Sequence, residues 1–202
     1  MAELDCIESL RSLYRAPGER ALRKQLDRLD VHCRAFIARS PFLVLASGDA
    51  DGRLDASPRG GDPGFVTVLD ERRLLIPDAP GNNRLDSLSN LVASPGIGLL
   101  FMIPGVDETL RVNGRASLST DPDLLERCAN ERRRPPLVIA VEVRDAYLHC
   151  AKALMRSKLW HPDSIVERRT LPTMGQMLKD QIGLQEDAES QEEMALRYQK
   201  DL

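Results

Sequence analysis

The sequence predicts a mainly β protein with flanking helices, built on an antiparallel barrel of six or seven strands. Three observations predict it. Short apolar or alternating runs recur between residues 42 and 148. Tight turn signals such as Asp51-Gly52 and Pro104-Gly105 join many of them. Only two short helical patterns interrupt the series, which argues against βαβ units and a parallel sheet. The chain divides into three segments: an N-terminal helical segment over 1–40, a barrel domain over 41–162, and a helical, acidic tail over 163–202.

The first segment reads as one helix over 18–39. Leu22, Leu26, Leu29, Cys33, Phe36 and Ile37 recur at three- and four-residue intervals, and Ser40-Pro41 ends the run. Phe42 to Ala46 is short enough for a buried strand, and Arg53 to Ser57 returns after the Asp51-Gly52 turn. Phe65 to Leu69 and Arg73 to Ile76 make the next pair, with Asp70-Glu71-Arg72 between them. A helix carrying Leu85, Leu88, Leu91 and Val92 comes next, and then the apolar run Gly98 to Ile103. Over Thr109 to Leu118 the alternation is cleanest. Leu110, Val112, Ala116 and Leu118 take one face, and Thr109, Arg111, Asn113, Arg115 and Ser117 the other. Asp121-Pro122 opens a second helix as cap and first residue, and Leu137 to Leu148 supplies the last strand. The tail reads as an amphipathic helix around Met194, Leu196 and Tyr198, or as poorly ordered acidic chain.

Composition narrows the function. The 202 residues are 42% hydrophobic and 29% charged, too apolar for a wholly disordered chain. The net charge of -3 gives no support for nucleic acid as a partner. Arg132, Arg133 and Arg134 read as a solvated helix end. No run of 18 uncharged apolar residues suggests a membrane span, and Glu3, Asp5 and Glu8 stand where a secretory signal would be apolar. A cytoplasmic protein is therefore expected. Cys6, Cys33, Cys128 and Cys150 form no C-x-x-C pair and are expected as free thiols. His149, Cys150 and His161 match no zinc spacing, so no metal site is expected. No G-x-S-x-G, G-x-G-x-x-G or G-x-x-x-x-G-K-[ST] motif occurs, which argues against a serine hydrolase, a Rossmann dehydrogenase and a P-loop enzyme.

Three segments carry candidate chemistry. Pro77 to Leu88 leaves a strand, crosses a Pro/Gly loop and enters a helix. With Asn83 as cap and Asp86 three residues on, Arg84 falls at the first helical position, where a cation opposes the helix dipole by about 0.3–1 kcal/mol. A phosphate bound there would offset this cost; the alternative is a surface arginine paired with Asp86. Ala56 to Gly64 holds two prolines and three glycines, giving either a shaped ligand loop with Ser57 and Arg59 or an ordinary inter-strand loop. His149 to His161 gathers Lys152, Arg156 and Lys158 beside Trp160, the only tryptophan, and suits closure over an anionic aromatic ligand.

From Phe42 to Trp160 the order of these features resembles the pyridoxamine 5'-phosphate oxidase-like flavoproteins, the FMN-binding split-barrel family. The resemblance rests on Ser57-Pro58-Arg59-Gly60, on Asn82-Asn83-Arg84-Leu85-Asp86-Ser87-Leu88 with Asn90, on Arg111 to Ala116, and on Lys152 to Trp160. It implies a six-stranded antiparallel split β-barrel and a homodimer with flavin at the subunit interface. Ser57, Pro58, Arg59 and Gly60 would contact the flavin ring and ribityl chain. Asp78, Asn82, Asn83 and Arg84 would hold the FMN phosphate, with Arg84 in place of the usual lysine. Thr109 and Arg111 would lie where a partner subunit reaches the flavin, and Trp160 with Lys152 or Lys158 would close the pocket. The sequence lacks the arginine-rich start of the flavin strand and the C-terminal Arg-x-His motif that go with the vitamin substrate. The implied activity is an FMN-dependent oxidoreductase acting on an unassigned small redox substrate, with no catalytic residue singled out. The alternatives are a flavin-binding or redox-responsive protein without turnover, or the same barrel holding a deazaflavin or haem.

Overall fold

The structure is a computed structural model and describes residues 3–200. Three short helices come first: α1 (Ile7–Ser12), α2 (Glu19–Arg23) and α3 (Val31–Ile37). The single helix expected over 18–39 is therefore broken. Between α2 and α3 the backbone turns outward to other elements. Leu26 exchanges two hydrogen bonds with Ala146, at 3.0 and 2.8 Å, and the Leu29 N–H donates to the Glu71 carbonyl at 2.7 Å. Asp30 then restarts the helix, its side chain accepting from the Cys33 N–H at 2.8 Å. Tertiary pairing outweighs a helical stripe here, and Leu22, expected on the core face, is 61% exposed.

Seven strands come after α3: β1 (Phe42–Gly48), β2 (Leu54–Gly60), β3 (Thr67–Val68), β4 (Arg73–Pro77), β5 (Gly96–Ile103), β6 (Val106–Ser119) and β7 (Val138–His149). They form one antiparallel sheet in the order β2-β1-β5-β6-β7-β4-β3, open at β2 and β3. This is one strand more than the six of the implied split barrel. The additional strand is β3, only two residues of the Phe65–Leu69 run, paired as Thr67↔Leu75 and Val68↔Leu74. The Pro104-Gly105 turn closes β5 onto β6, with Gly105 at φ 83° as such a turn requires.

Burial and register along β6 set which side chains reach each face of the sheet. Leu110, Val112 and Ala116 are buried while Arg111 and Arg115 are exposed, as the alternation predicts. Thr109 departs from it, with only 5% exposure on the face expected to be polar. The register then slips between Asn113 and Gly114, where a β-bulge lies. A Cβ on Gly114 would collide with the Glu142 carbonyl oxygen, so only glycine allows this approach.

One face of the sheet carries the main core. Leu43 and Leu45 of β1, Leu74 and Ile76 of β4, Phe101 of β5 and Leu110 of β6 are fully buried there. Leu29, Cys33 and Ile37 cover them, together with Leu88 and Leu91 of helix α4 (Asp86–Ala93). Helix α5 (Pro122–Arg127) seals a smaller cluster of Leu75, Leu125 and Val138. Its cap is Asp121 and its first residue Pro122, as the sequence predicts. After β7 come α6 (Lys152–Ser157), two short 3-10 turns, α7 (Met174–Ile182) and α8 (Gln191–Tyr198). The tail is thus helical, and Ser190 with Glu193 forms a capping box at the start of α8. All four cysteines are free, and no described helix is long and apolar enough to cross a membrane. Among the described residues no cluster of His, Cys, Asp and Glu is placed to hold a metal ion.

Candidate functional site: a polar corner between β2 and α4

β2 is an edge strand, which is why it tolerates Pro58 within its run. Its residues alternate in burial, with Asp55, Ser57 and Arg59 half-buried and Leu54, Ala56, Pro58 and Gly60 exposed. The first three share one face by strand geometry. That face meets the loop leading into α4 at a cavity of about 280 Å³. Ser57, Arg59, Asp78, Asn82, Asn83 and Arg84 all line it. Two motifs that stand well apart in the chain thereby form one site. Pro58 and Gly60 do not line it.

The entry to α4 differs from the sequence expectation. The helix starts at Asp86, and its cap residue is Leu85 in left-handed backbone, φ 58°. Asn83 is also left-handed, φ 57°, and so lies outside the helix instead of capping it. A branched residue such as leucine loses about 1–2 kcal/mol in that conformation, strain of the kind that collects at ligand sites. Arg84 consequently stands before the helix, not at its first position. Its N–H donates to the Asn82 side chain at 3.1 Å and its Nε to Asp86 at 2.7 Å. The pairing with Asp86 and the place on the cavity wall therefore hold together. Ser87 donates to Asp55, and Asn90 donates to Ser47 at 3.1 Å, so these two residues of the same run fasten α4 to β2 and β1.

Two further wall residues are not evident in the sequence. Asp55 lies within the strand expected over Arg53 to Ser57 and shares the face of Ser57, and only the folded chain shows that this face meets the α4 loop. Arg133, half-buried, enters from the loop after α5. Asn130 shapes that loop by accepting from the N–H groups of Arg132 and Arg133 at 3.0 and 2.9 Å. Arg133 was expected in a solvated basic run, and the Pro135-Pro136 step beside it was the available signal for a shaped loop.

The charges of the corner are unequally used. Asp86 is held by Arg84, and Asp55 accepts from Ser87. Arg59 donates to the Ser57 hydroxyl at 2.8 Å and the Pro58 carbonyl at 3.1 Å, but its Nε is buried with no partner among the described residues. A buried donor without an acceptor is costly in a folded chain and marks a place for an acceptor from elsewhere. The donors present (three guanidiniums, a hydroxyl and side-chain amides) fit a phosphate ester with a hydroxylated chain. At about 280 Å³ the cavity falls just below the roughly 300–1,000 Å³ of a complete small-molecule site.

The other predicted site residues lie elsewhere. Register places Arg111 beside Leu100, Leu100 beside Val44, and Val44 beside Pro58. Paired residues share a face, so Arg111 is on the face opposite Arg59. Arg111 donates to the Tyr147 hydroxyl at 2.9 Å, and Thr109 pairs with His149. Trp160 donates its Nε1 to the Val106 carbonyl at 2.9 Å, fixing the segment after α6 to the start of β6. Lys152 opens α6, and Lys158 ends it in left-handed backbone at φ 52°. None of Thr109, Arg111, Lys152, Lys158 and Trp160 lines the corner within one chain.

The family model for pyridoxamine 5'-phosphate oxidase matches residues 29–150, more than half of the sequence. The chain belongs to this family. The match spans β1 to β7 and the whole polar corner, and ends before Lys152, Lys158, Trp160 and the tail. No curated protein matches the sequence. Among solved structures, a candidate pyridoxamine 5'-phosphate oxidase of Lactobacillus delbrueckii is 20% identical, with TM-score 0.48, covering 61% of this chain and 98% of its own. HupZ of Group A Streptococcus is 16% identical, with TM-score 0.48, covering 59% and 92%. An FMN-binding protein of Syntrophomonas wolfei is 10% identical, with TM-score 0.47, covering 58% and 83%.

Proposed function

We propose that this member of the family is an FMN-binding flavoprotein, an FMN-dependent oxidoreductase working as a homodimer with flavin at the interface. The observation that carries the reading is the corner itself, where an unpartnered, buried Arg59 Nε stands in one cavity with Arg84 and Arg133. Arg84 and Arg133 hold the ester phosphate, with Asn82 and Asn83 shaping the turn around it. Ser57 and Arg59 face the ribityl chain and ring, beside Pro58 and Gly60 of the same strand. Bound there, the flavin supplies the hydride or electron transfer, and the protein supplies position and charge. The small cavity and the placement of Arg111 on the opposite face support a site completed by a second copy. The partner subunit's Thr109 and Arg111 then approach the ring, and Lys152, Lys158 and Trp160 close over it. The six longer strands correspond to the split barrel, with β3 as a two-residue addition. Four free thiols support a cytoplasmic setting, and the net charge of -3 favours a small redox substrate over nucleic acid as partner.

The visible spectrum of the purified protein tests the cofactor. A yellow preparation that releases FMN by mass is expected, whereas a colourless one that takes up no added FMN rejects the reading. A released deazaflavin or haem would reassign the site. Stopped-flow reduction by NADH or NADPH, with oxygen consumption, then distinguishes an oxidoreductase from a protein that only binds flavin.

A further inference from the structure

The face of the sheet opposite Arg59 carries a second cluster that the polar corner does not use. Thr109 and Arg111 of β6 stand beside His149 and Tyr147 of β7 in register. Alternate residues share a face, so all four side chains lie on one side. Arg111 lies 5.4 Å from the centre of the Tyr147 ring and donates to its hydroxyl at 2.9 Å. Lys24, at the end of α2, approaches the same ring at 5.2 Å and donates to the Leu148 carbonyl at 2.7 Å. The His149 ring stacks at a tilt against Tyr147, centroids 4.9 Å apart.

Two features make this more than a basic surface. The His149 Nε2 is buried and has no hydrogen-bond partner among the described residues. Burial, then Arg111, then Lys24 hold the imidazole below its ordinary value, and no carboxylate acts in the opposite direction. Arg72, Arg73, Arg84, Arg144 and Arg197 each sit against an acid, whereas Lys24 and Arg111 have none within ion-pair distance among the described residues. Two cations and a buried polar nitrogen converge with no counter-charge among the described residues, held in place by an aromatic ring and a backbone carbonyl.

We propose that Lys24, Arg111, Tyr147 and His149 form an anion subsite that takes the carboxylate or phosphate group of a small ligand. A bidentate guanidinium and an ammonium suit either group, and the Tyr147 ring offers an apolar wall to the rest of the molecule. In one respect the assignment rests on the proposed function. If the flavin lies between copies, the partner subunit's Arg111 brings this subsite to the ring, and the ligand is an anionic redox substrate.

The test is nitrogen NMR of the imidazoles in the full-length protein, with the His149 signal identified by its loss in His149→Gln. Inorganic phosphate and acetate are titrated separately at constant ionic strength, with chloride as the control. An anion seated against Arg111 and Lys24 relieves their repulsion, so the His149 midpoint should rise by about one pH unit. Phosphate alone or acetate alone giving the rise names the preferred group. Lys24→Gln and Arg111→Gln should each reduce the rise, and the wild-type titration decides even if one variant fails to fold. No rise with either anion overturns the subsite. The same titration on FMN-loaded protein identifies the source of the anion. A rise that persists supports a substrate group, and one that FMN itself produces and blocks hands the cluster to the cofactor and overturns the substrate assignment. A protein that takes no FMN still reports on the subsite through the first titration, so the two readings fail separately.

Discussion

Leucines in the sheet and in the C-terminal arm meet opposite fates. Leu43, Leu74 and Leu110 of the sheet have 0% exposure, while Leu171 and Leu196 in the C-terminal arm have 61% and 63%. The sheet buries its apolar side chains against facing strands and covering helices, so each contributes about 1.5–3 kcal/mol by leaving water. The arm offers its helices mainly local support. Thr173 caps α7, Ser190 and Glu193 cap α8, and Arg197 makes two hydrogen bonds to Glu189 at 2.9 and 2.7 Å. Gly175 lets the two helices close, since a Cβ there would collide with the Glu189 carbonyl oxygen. The contrast teaches that an apolar stripe stabilises only where a second surface receives it. Folding free energy is concentrated in the sheet, and the arm is held by caps and ion pairs.

Substitutions at graded positions test that contrast. Phe101→Ala removes the largest fully buried side chain and should lower the denaturant-derived stability by about 3–5 kcal/mol. A loss below about 1 kcal/mol would place the core elsewhere. Asp30→Ala removes the cap of α3 at the border of the core and should cost about 1 kcal/mol at pH 7. Burial pushes the Asp30 carboxyl up, but hydrogen bonds from the Cys33 N–H and the nearby His32 outweigh it and leave the group below its ordinary value. Its contribution is therefore present above the unfolded value near about 3.9 and fades as pH falls through the lower folded value. The difference between Asp30→Ala and wild type should narrow in acid, and a difference that grows there would reverse the sign. Leu196→Ser in the arm should change stability by no more than about 0.5 kcal/mol, and a large loss would mean that the arm is packed against something.

Thiol reactivity sharpens the same comparison. Burial pushes the Cys33 thiol up to about 11, so it should react with a disulfide reagent only on unfolding. Cys6 and Cys150 are exposed and should react at once.

The sheet was legible because its signals are local. Alternation over Thr109–Leu118, turn pairs such as Pro104-Gly105 and the Asp121-Pro122 cap depend on neighbouring residues, and the structure keeps them with the exception of the buried Thr109. What escaped depends on distant partners. Nothing near Leu26 signals that Ala146 will take its backbone and break the helix. Leu85 in left-handed backbone contradicts the usual preference of its side chain, so the true start of α4 was hidden. At the corner, Ser57, Arg59 and the Asp78–Arg84 loop were legible as separate motifs, whereas their meeting with Arg133 exists only in the folded chain.

The central claim is that this corner anchors the phosphate of a flavin. The most direct measurement is the affinity of the flavin-stripped protein for FMN, read by quenching of flavin fluorescence, for wild type, Arg84→Ala and Arg133→Ala. Each guanidinium should contribute a charge-assisted hydrogen bond of about 1.5–3 kcal/mol, so each variant should bind roughly ten- to a hundredfold more weakly. Riboflavin, which lacks the phosphate, should bind all three proteins equally poorly. FMN affinity that stays unchanged in both variants would contradict the account.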